Sequence, residues 1–405
     1  MTQPTDAAAR FAALLAPEGA DALAAAGALW ADSPPDPLAA AAAMRAAGIP
    51  ADLASTALTQ AGLRHRAGAK FGPDAARLFF TRAGLEQATR AAVATRRAER
   101  LAAAGVRHVA DLGCGIGADT IAFARAGLRV RAVDADPLTA AVAAANVAAL
   151  GLSDQVTVTC ADATAVPLDT VDGVFCDPAR RRAGGGRVFD PRAYSPPWDF
   201  VTGLAERVPA TVLKLGPGID HALIPAHAEA EWVSVAGEVV EAALWCGPLA
   251  QAPRKATLLS TRDRAVNQLV GSGDALAPVG PVGRFVHDPD GAVVRAHLVA
   301  EFAATIGARL ADPTIAYCYT DGAAPSPYAS GFEVLETLPF SLKRLRAAVR
   351  AHGLGILEIR KRGSALEPER LRRDLRLSGG GAGTLLLTRV AGAPTAIIAR
   401  AVPVA

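Results

Sequence analysis

The stretch VADLGCGIGAD, residues Val109–Asp119, places three glycines directly after a short apolar run. Gly113, Gly115 and Gly117 are predicted to form the turn between a buried strand and the helix that follows it. Glycines in such a turn let the backbone approach a ligand closely and direct the helix N-terminus towards it. The spacing alone also fits the dinucleotide-binding pattern G-x-G-x-x-A, so the turn predicts a nucleotide-like ligand without deciding which one.

Asp111 narrows the choice, because it ends the strand just before the first glycine. A carboxylate there would repel a pyrophosphate and attract a ligand that carries a cationic amino-acid group and no phosphate. S-adenosylmethionine has this chemistry, with a sulfonium, an ammonium, a ribose and an adenine. The motif therefore predicts an S-adenosylmethionine site formed by Asp111, Gly113, Cys114, Gly115 and Gly117.

Three further acids follow the next three predicted strands. Asp134 is placed to accept both ribose hydroxyls, whereas its neighbour Asp136 is the better N-cap for the next helix. Asp162, followed by Ala163, is placed to accept the adenine amino group, and Asp177 to face the methyl donor. Four acidic residues thus follow four successive strands. The favoured interpretation is that this edge of the sheet binds the methyl donor S-adenosylmethionine.

Strands alternate with helices from residue 105 onward, which is typical of a parallel, doubly wound sheet. We therefore predict an α/β fold with a Rossmann-like core over residues 105–265. A helical N-terminal region over residues 1–104, rich in Ala, Leu and Arg, precedes it. A Gly-, Ala- and Pro-rich stretch over residues 267–281 is predicted to be a linker, and a small α+β C-terminal domain to follow.

Two local predictions accompany this organisation. One long helix is predicted to run through TRAGLEQATRAAVATRRAERLAAAG, with Thr81 as its N-cap. The segments EWVSVAGEVVEAALWCG and KATLLST are predicted to be antiparallel edge strands that complete the core near residue 262.

Residues 79–200 resemble the class I S-adenosylmethionine-dependent methyltransferases. The glycine motif, an acid for the ribose, an acid for the adenine and an Asp-Pro pair after the fourth strand occur in the family's order. The resemblance implies a Rossmann-like methyltransferase core with S-adenosylmethionine as cofactor. It also implies a catalytic turn at Asp177 and Pro178, where Asp177 would orient the acceptor or take its proton.

Base-directed members of that family end the fourth strand in an Asp/Asn-Pro-Pro-aromatic turn that grips an exocyclic amine. This chain reads DPAR, so Ala179 replaces the second proline and Arg180 replaces the aromatic ring. A guanidinium plane packs on bases, which makes Arg180 the candidate for the stacking role.

The segment RRRAGGG begins at Arg180 and is predicted to grip phosphate beside the active site. Arg180, Arg181 and Arg182 can pair bidentately with phosphate, and the glycines permit ordering on binding. A solvated surface loop is the alternative interpretation. The position directly after the catalytic strand favours the functional one.

Two narrower resemblances add candidates. DPAR is also similar to the corresponding turn of uracil-C5 RNA methyltransferases, which need a cysteine nucleophile. Cys246 is the candidate for it, with a buried apolar side chain as the favoured alternative. The segment FFTRAGLEQATRAAVATRRAERL resembles the one ahead of the glycine motif in trimethylguanosine-synthase-like RNA methyltransferases. That resemblance implies that Thr81 and Arg82 contact the methionine end of the donor.

The C-terminal segments LGILEIRKRG and GTLLLTRVAGAPTAIIAR resemble the THUMP-like domain fused to bacterial methyltransferases. The resemblance implies a ferredoxin-like segment over residues 280–330 and a THUMP-like domain over residues 331–405. Domains named for THUMP are associated with RNA binding, and Arg360, Lys361 and Arg362 would supply the charge.

Charge is distributed unevenly, although the formal net charge is only +3. Arg64–Arg100 holds nine Lys/Arg against three Asp/Glu, and Glu336–Arg376 holds eleven against five. Basic zones of this kind are the footprint of a polyanionic partner such as RNA, with a solvated charged face as the alternative.

The five cysteines lie far apart, without metal-ligand spacing, which indicates a reducing compartment without disulfides or structural zinc. The start MTQPTDAAAR lacks a signal-peptide pattern, and no run of about 20 apolar residues occurs. These features predict a cytoplasmic protein with no membrane partner and no metal.

Together the patterns predict a methyltransferase that acts on a base nitrogen of structured RNA, either tRNA or rRNA. Two alternatives stay open. One is a small-molecule or protein methyltransferase whose tail is a dimerisation module, and the other is a non-catalytic RNA-binding protein. The sequence leaves open the target RNA, nucleotide and atom, and the oligomeric state.

Overall fold

The computed structural model describes residues 4–30, 33–180, 194–261 and 265–402. The chain divides into two compact units. The first unit comprises Met1–Leu215, Asp220–Ala228 and Leu244–Ala250, and the second comprises Gly216–Ile219, Glu229–Ala243 and Gln251–Ala405. The domain boundaries expected from the sequence remain predictions.

The first unit begins with the helical region that the sequence predicts. Its helices are α1 Pro4–Leu14, α2 Pro17–Ala28, α3 Pro37–Ala46, α4 Ala51–Phe71, α5 Arg82–Gln87 and α6 Ala91–Ala103. Proline at the first position suits a helix start, because that residue has no amide hydrogen to leave unpaired. The apolar faces of these helices share one core, which includes Phe11, Leu14, Met44, Phe71 and Phe80.

The prediction of one long helix after Thr81 is wrong in its length. Thr81 does cap α5, since its Oγ1 accepts from the amide of Gly84 at 2.9 Å. The helix then ends at Gln87, and Ala88 is extended. The Lys70 ammonium donates to the carbonyls of Leu85, Glu86 and Ala88 at 2.7, 2.8 and 3.2 Å. Those carbonyls therefore have a partner without a further helical turn.

The rest of the first unit is the predicted doubly wound sheet. Its elements are β1 His108–Leu112, α7 Ala118–Arg125, β2 Arg129–Asp134, α8 Pro137–Ala149, β3 Val156–Cys160, β4 Gly173–Cys176, β5 Ala179–Arg180, β6 Tyr194–Ser195, α9 Trp198–Arg207 and β7 Thr211–Leu215. The parallel strands follow the order β7-β4-β1-β2-β3. The strand order reverses between β1 and β4, and open α/β sheets bind ligands outside the carboxyl ends at such a switch point.

The second unit contains two groups of strands and four helices among its described residues. Its elements are β8 Glu229–Val235, β9 Glu238–Trp245 (whose last residues belong to the first unit), β10 Arg254–Leu259, β11 Val266–Gly271, β12 Phe285–Pro289, α10 Gly291–Arg295, α11 Val299–Thr305, β13 Arg309–Leu310, β14 Cys318–Thr320, β15 Ala329–Pro339, α12 Leu342–Ala351, β16 Leu354–Lys361, α13 Pro368–Leu375, β17 Gly381–Val390 and β18 Ala393–Ala401.

Two expectations for this unit are corrected. KATLLST forms β10, which runs parallel to β8 rather than antiparallel. The buried Glu229 explains the direction: it accepts from the amide of Gln251 at 2.8 Å and pairs with Lys255 at 2.9 Å, so the starts of both strands lie together. The stretch predicted as a linker includes β11, which pairs antiparallel with β10.

The small α+β domain forms around a sheet in the order β13-β14-β12-β15-β18-β17-β16. The predicted C-terminal hairpin is β17 with β18. Helix α13 lies in the connection between β16 and β17, which are parallel. The apolar sides of α12 and α13, Leu345 and Leu371 among them, share a core with Leu385 and Ile398 of the sheet.

Candidate active site

The glycine turn after β1 lies against the turn after β4. Gly113, Gly115 and Gly117 have φ values of +83°, +56° and +89°, which disfavour other residues. A Cβ atom at Gly113 would lie 2.5 Å from the backbone oxygen of Asp177. The amides of Gly113 and Cys114 both donate to the carbonyl of Val133 at 2.9 Å. The carboxyl ends of β1, β2 and β4 therefore meet at this turn.

Asp111 is fully buried at the end of β1. Its Oδ2 accepts from the hydroxyl of Thr120, while Oδ1 is buried with no hydrogen-bond partner among the described residues. Burial raises the pKa of Asp111 to about 8, and the nearby charge of Asp119 adds to the effect. A buried oxygen without a partner is costly, so this position suits a ligand that brings a donor or a positive charge.

Asp119 itself is paired with Arg97, an ion pair that sequence reasoning missed. Arg97 is only 2% exposed, and its guanidinium lies 4.5 Å from the ring centroid of Phe175 on β4. The contacts join α6, α7 and β4 beneath the glycine turn. An arginine within an amphipathic helix gives no sequence signal of such a role.

Asp134 lies at the end of β2 and is tied to the glycine turn. Its Oδ2 accepts from the amide of Gly115 at 3.0 Å, and its Oδ1 from the amide of Asp136 at 2.9 Å. Burial raises the pKa of Asp134. Asp136 caps α8 by accepting from Thr139 at 2.8 Å, as expected. Each oxygen of Asp134 keeps a further lone pair, which is what ribose hydroxyls would use.

Asp162 is exposed and caps the short turn Ala163–Ala165. Its Oδ1 accepts from the amide and the hydroxyl of Thr164 at 2.8 and 2.7 Å, and the hydroxyl contact lowers the pKa of Asp162. The half-buried Ala163 follows it. These contacts occupy Oδ1 of Asp162, the oxygen that caps the turn. Contact of Asp162 and Ala163 with the adenine of the donor stays a prediction.

The segment ahead of the glycine motif is brought to it by a buried amide. The side chain of Asn146 on α8 accepts from the amide of Phe79 at 2.6 Å and donates to the carbonyls of Phe79 and Ile116 at 3.0 and 2.9 Å. Thr81 follows two residues later, at the start of α5, and Arg82 is exposed. Their contact with the donor stays a prediction, while Asn146 is a positioning residue that sequence reasoning missed.

Asp177 on the turn after β4 is held by Lys214 of β7, a third residue that sequence reasoning missed. The Lys214 ammonium lies 2.6 Å from Oδ2 of Asp177, and the two side chains are 14% and 33% exposed. Pro178 is buried beside them. A lysine within the apolar strand TVLKL is an irregularity that could have signalled this site. The side chain of Arg180, and all of Arg181 and Arg182, lie outside the described residues.

Comparisons with known proteins place this site in a family. An uncharacterized S-adenosylmethionine-dependent methyltransferase of Mycobacterium tuberculosis strain H37Rv is 37% identical over 342 residues, which cover 81% of this chain and 90% of the relative. Its counterpart in strain CDC 1551 matches equally. The chain belongs to the S-adenosylmethionine-dependent methyltransferases.

Family models and a crystal structure agree with this assignment. A methyltransferase domain matches residues 109–180, a THUMP domain-like model matches residues 329–401, and a domain of unknown function matches residues 7–67. A candidate methyltransferase from Porphyromonas gingivalis W83 shares the fold, with 22% identity and a TM-score of 0.73 over 95% of this chain and 98% of that one. The predicted class, donor and THUMP-like tail are confirmed.

The run predicted to bind RNA in this methyltransferase is occupied by internal partners. Arg360 lies 2.8 Å from Asp288 and 2.8 Å from Glu358, and Arg362 lies 2.7 Å from Asp288. The third member, Lys361, lies 3.1 Å from Glu367. The guanidiniums of Arg360 and Arg362 also stack on aromatic rings, Phe332 and Tyr317. A role in RNA binding stays a prediction for these three side chains, whose charges are compensated within the second unit.

Cys246 has the environment of a buried structural side chain in this methyltransferase. Burial raises the pKa of its thiol to about 11, which disfavours the thiolate that a nucleophile requires. Among the described residues, no three His, Cys, Asp or Glu side chains are grouped so as to hold a metal ion. Within the same residues, none of the helices is both long and apolar enough to cross a bilayer.

Proposed function

We propose that this methyltransferase modifies a base nitrogen of structured RNA, with Asp177 at the acceptor side. When bound, S-adenosylmethionine supplies a methyl group on a cationic sulfur. The residues proposed to hold it are the glycine turn with Asp111, Asp134 and Asp162. Two features of the turn fit such a ligand: the partnerless buried Oδ1 of Asp111 and the open space beside Gly115, where a Cβ atom would meet nothing within 4 Å.

The observation that carries the proposal is the Asp177–Lys214 pair. The Lys214 ammonium binds Oδ2 of Asp177 and leaves Oδ1 for an acceptor N–H, and Asp177 is exposed enough to be reached. A carboxylate that accepts this hydrogen bond aligns the nitrogen lone pair for attack on the methyl carbon. As the N–C bond forms and the S–C electron pair goes to sulfur, Asp177 takes the proton released by the nitrogen.

RNA as the acceptor is supported by the second unit. A THUMP domain-like model matches its C-terminal part, and the region Glu336–Arg376 carries eleven basic residues against five acidic ones. A cationic surface of this kind attracts nucleic acid through its phosphates, independently of base sequence. A buried Cys246 thiol makes nitrogen a better acceptor than carbon 5 of uracil, whose methylation needs a cysteine nucleophile.

The test is nucleoside mass spectrometry of total RNA from a deletion strain. We expect one methylated nucleoside to be missing, and to return when the wild-type protein and labelled donor are added to that RNA. The Asp177→Ala protein, which should still bind the donor, should not restore it. An unchanged nucleoside profile in the deletion strain, together with label that enters only protein or small molecules when the enzyme and labelled donor are added to its cell extract, would refute RNA as the acceptor.

A further inference from the structure

We propose that the outer side of α12 and α13 binds the phosphate backbone of the RNA, in place of the Arg360–Arg362 run. This inference rests on the proposed function, because it assumes an RNA acceptor. The two helices carry Lys343, Arg344, Arg346 and Arg350 on α12, and Arg370, Arg372 and Arg373 on α13, with Arg376 directly after it. Helix α12 has no acidic residue, and α13 has Glu369 and Asp374.

The cations of α12 form a stripe. Lys343, Arg346 and Arg350 recur at helical spacing, so they follow one side of the helix over about 10 Å. Lys343 and Arg350 are exposed, and Leu345 and Val349 on the other side are buried. A stripe of this length can meet several phosphates of one strand rather than a single small anion.

Helix α13 lies next to this stripe and continues it. The guanidinium of Arg346 donates to the backbone carbonyl of Asp374 at 2.7 Å, which fixes the two helices side by side. On α13, Arg373 is exposed and has no acidic partner among the described residues, whereas Arg370 lies 4.0 Å from Asp374. With eight basic residues against two acidic ones, this surface has a net positive charge.

The loops that follow the two helices extend the surface. A Cβ atom at Gly379 would lie 2.0 Å from the oxygen of Gly353, and the amide of Gly381 donates to that oxygen at 2.9 Å. The C-terminal ends of α12 and α13 are thus held together, with Arg350 and Arg376 three residues before the paired glycines. Exposed glycine backbone beside two arginines allows a nucleic-acid strand to approach closely.

An anionic membrane fits this surface less well than RNA does. A helix that binds a bilayer buries its apolar side in the lipid. Here the apolar residues Leu345, Val349, Leu371 and Leu375 are already buried in the core of the domain. None of the large exposed apolar side chains in the described part of the chain lies on α12 or α13. What remains outside is charge, which matches a polyanion in water.

The test compares two triple variants of the full chain. The surface variant combines Lys343→Gln, Arg350→Gln and Arg373→Gln, which remove three of the eight basic charges of this surface. The control replaces three exposed arginines of the first unit that lie outside its basic zone, Arg45, Arg107 and Arg129, with Gln, and so removes the same charge elsewhere. The probe is bulk bacterial tRNA, which serves even if another RNA is methylated, because phosphate contacts are independent of sequence.

At 0.1 M salt, the affinity of the surface variant for tRNA should be lower by a factor of about ten or more. When the logarithm of the binding constant is plotted against the logarithm of the salt concentration, its slope should be less steep by about 2 to 3. Its affinity for S-adenosylmethionine should equal that of the wild type, which shows that the site is folded. Equal weakening in both variants, or in neither, would overturn the assignment of this surface. A wild type that binds no tRNA and methylates no RNA would instead refute the proposed function itself.

Discussion

In the absence of the methyl donor, Asp111 should make the protein less stable as the pH rises. Its pKa is raised from 3.8 to about 8 by burial and by the charges of Asp119 and Asp177, against the opposing effects of Thr120 and Arg97. Between these two values the folded protein binds a proton that the unfolded chain has released. The associated stability is complete below pH 3.8 and is lost as the pH rises towards 8.

The size of the effect follows from one proton. Each pH unit costs about 1.4 kcal/mol, so the first unit should lose about 3 kcal/mol between pH 5 and pH 7 from Asp111 alone. For a unit of this size, that loss lowers the melting temperature by roughly 5–10 °C. In Asp111→Asn the group cannot ionise, so the variant pays a constant cost for its amide but lacks this slope.

The assay is thermal unfolding of wild type and Asp111→Asn at several pH values from 5 to 8, without donor. The difference between the two proteins should change steadily in favour of the variant as the pH rises. Asp162→Asn is the matched control: its carboxyl lies exposed with a lowered pKa, so its difference from wild type should be flat over this range. Parallel curves for wild type and Asp111→Asn would refute the reasoning.

Four further changes have definite expected outcomes. Asp134→Ala should weaken S-adenosylmethionine binding by roughly 1.5–3 kcal/mol in calorimetry, whereas Asp136→Ala should lower only the stability of its helix. Equal donor affinities of the two variants would exclude Asp134 from binding the ribose. Asp177→Asn should keep donor affinity and lower kcat by about 10²-fold, and full activity would exclude it from catalysis. Lys214→Gln should also lower kcat at unchanged donor affinity, and it should alter the pH profile of kcat, which a merely structural role would leave in place. Cys246→Ala should leave kcat within about twofold; an inactive variant that binds both substrates would point to carbon-5 chemistry.

Local sequence predicted the parts of the site that depend on neighbours in the chain. The glycine turn, the Thr81 cap and the Asp136 cap follow from short patterns, and the structure places each as expected. The Asp177–Lys214 pair lies beyond such patterns, because it depends on β7 lying beside β4. The early end of α5 also depends on tertiary packing, since Lys70 reaches its carbonyls from the end of the preceding helix α4.

Long-range pairing also changes how a basic run should be interpreted. Arg360, Lys361 and Arg362 look like a nucleic-acid contact in the sequence, where Asp288 is more than 70 residues away. The fold brings Asp288 to two of them, and composition alone cannot indicate which cations are compensated in this way. The basic residues of α12 differ from this run in one respect: their own helix contains no acidic residue.

The same Asp288 affects how the tail can be studied apart from the rest of the chain. The THUMP domain-like match begins at residue 329, yet β12, which carries Asp288, pairs with β15 from outside it. A fragment cut at the boundary of the match would leave one edge of β15 without its partner strand and Arg360 and Arg362 without their shared carboxylate. Unpaired strand edges promote aggregation. A soluble tail therefore requires a fragment that starts before Phe285, and RNA binding measured on a shorter one would report arginines that the intact enzyme keeps paired.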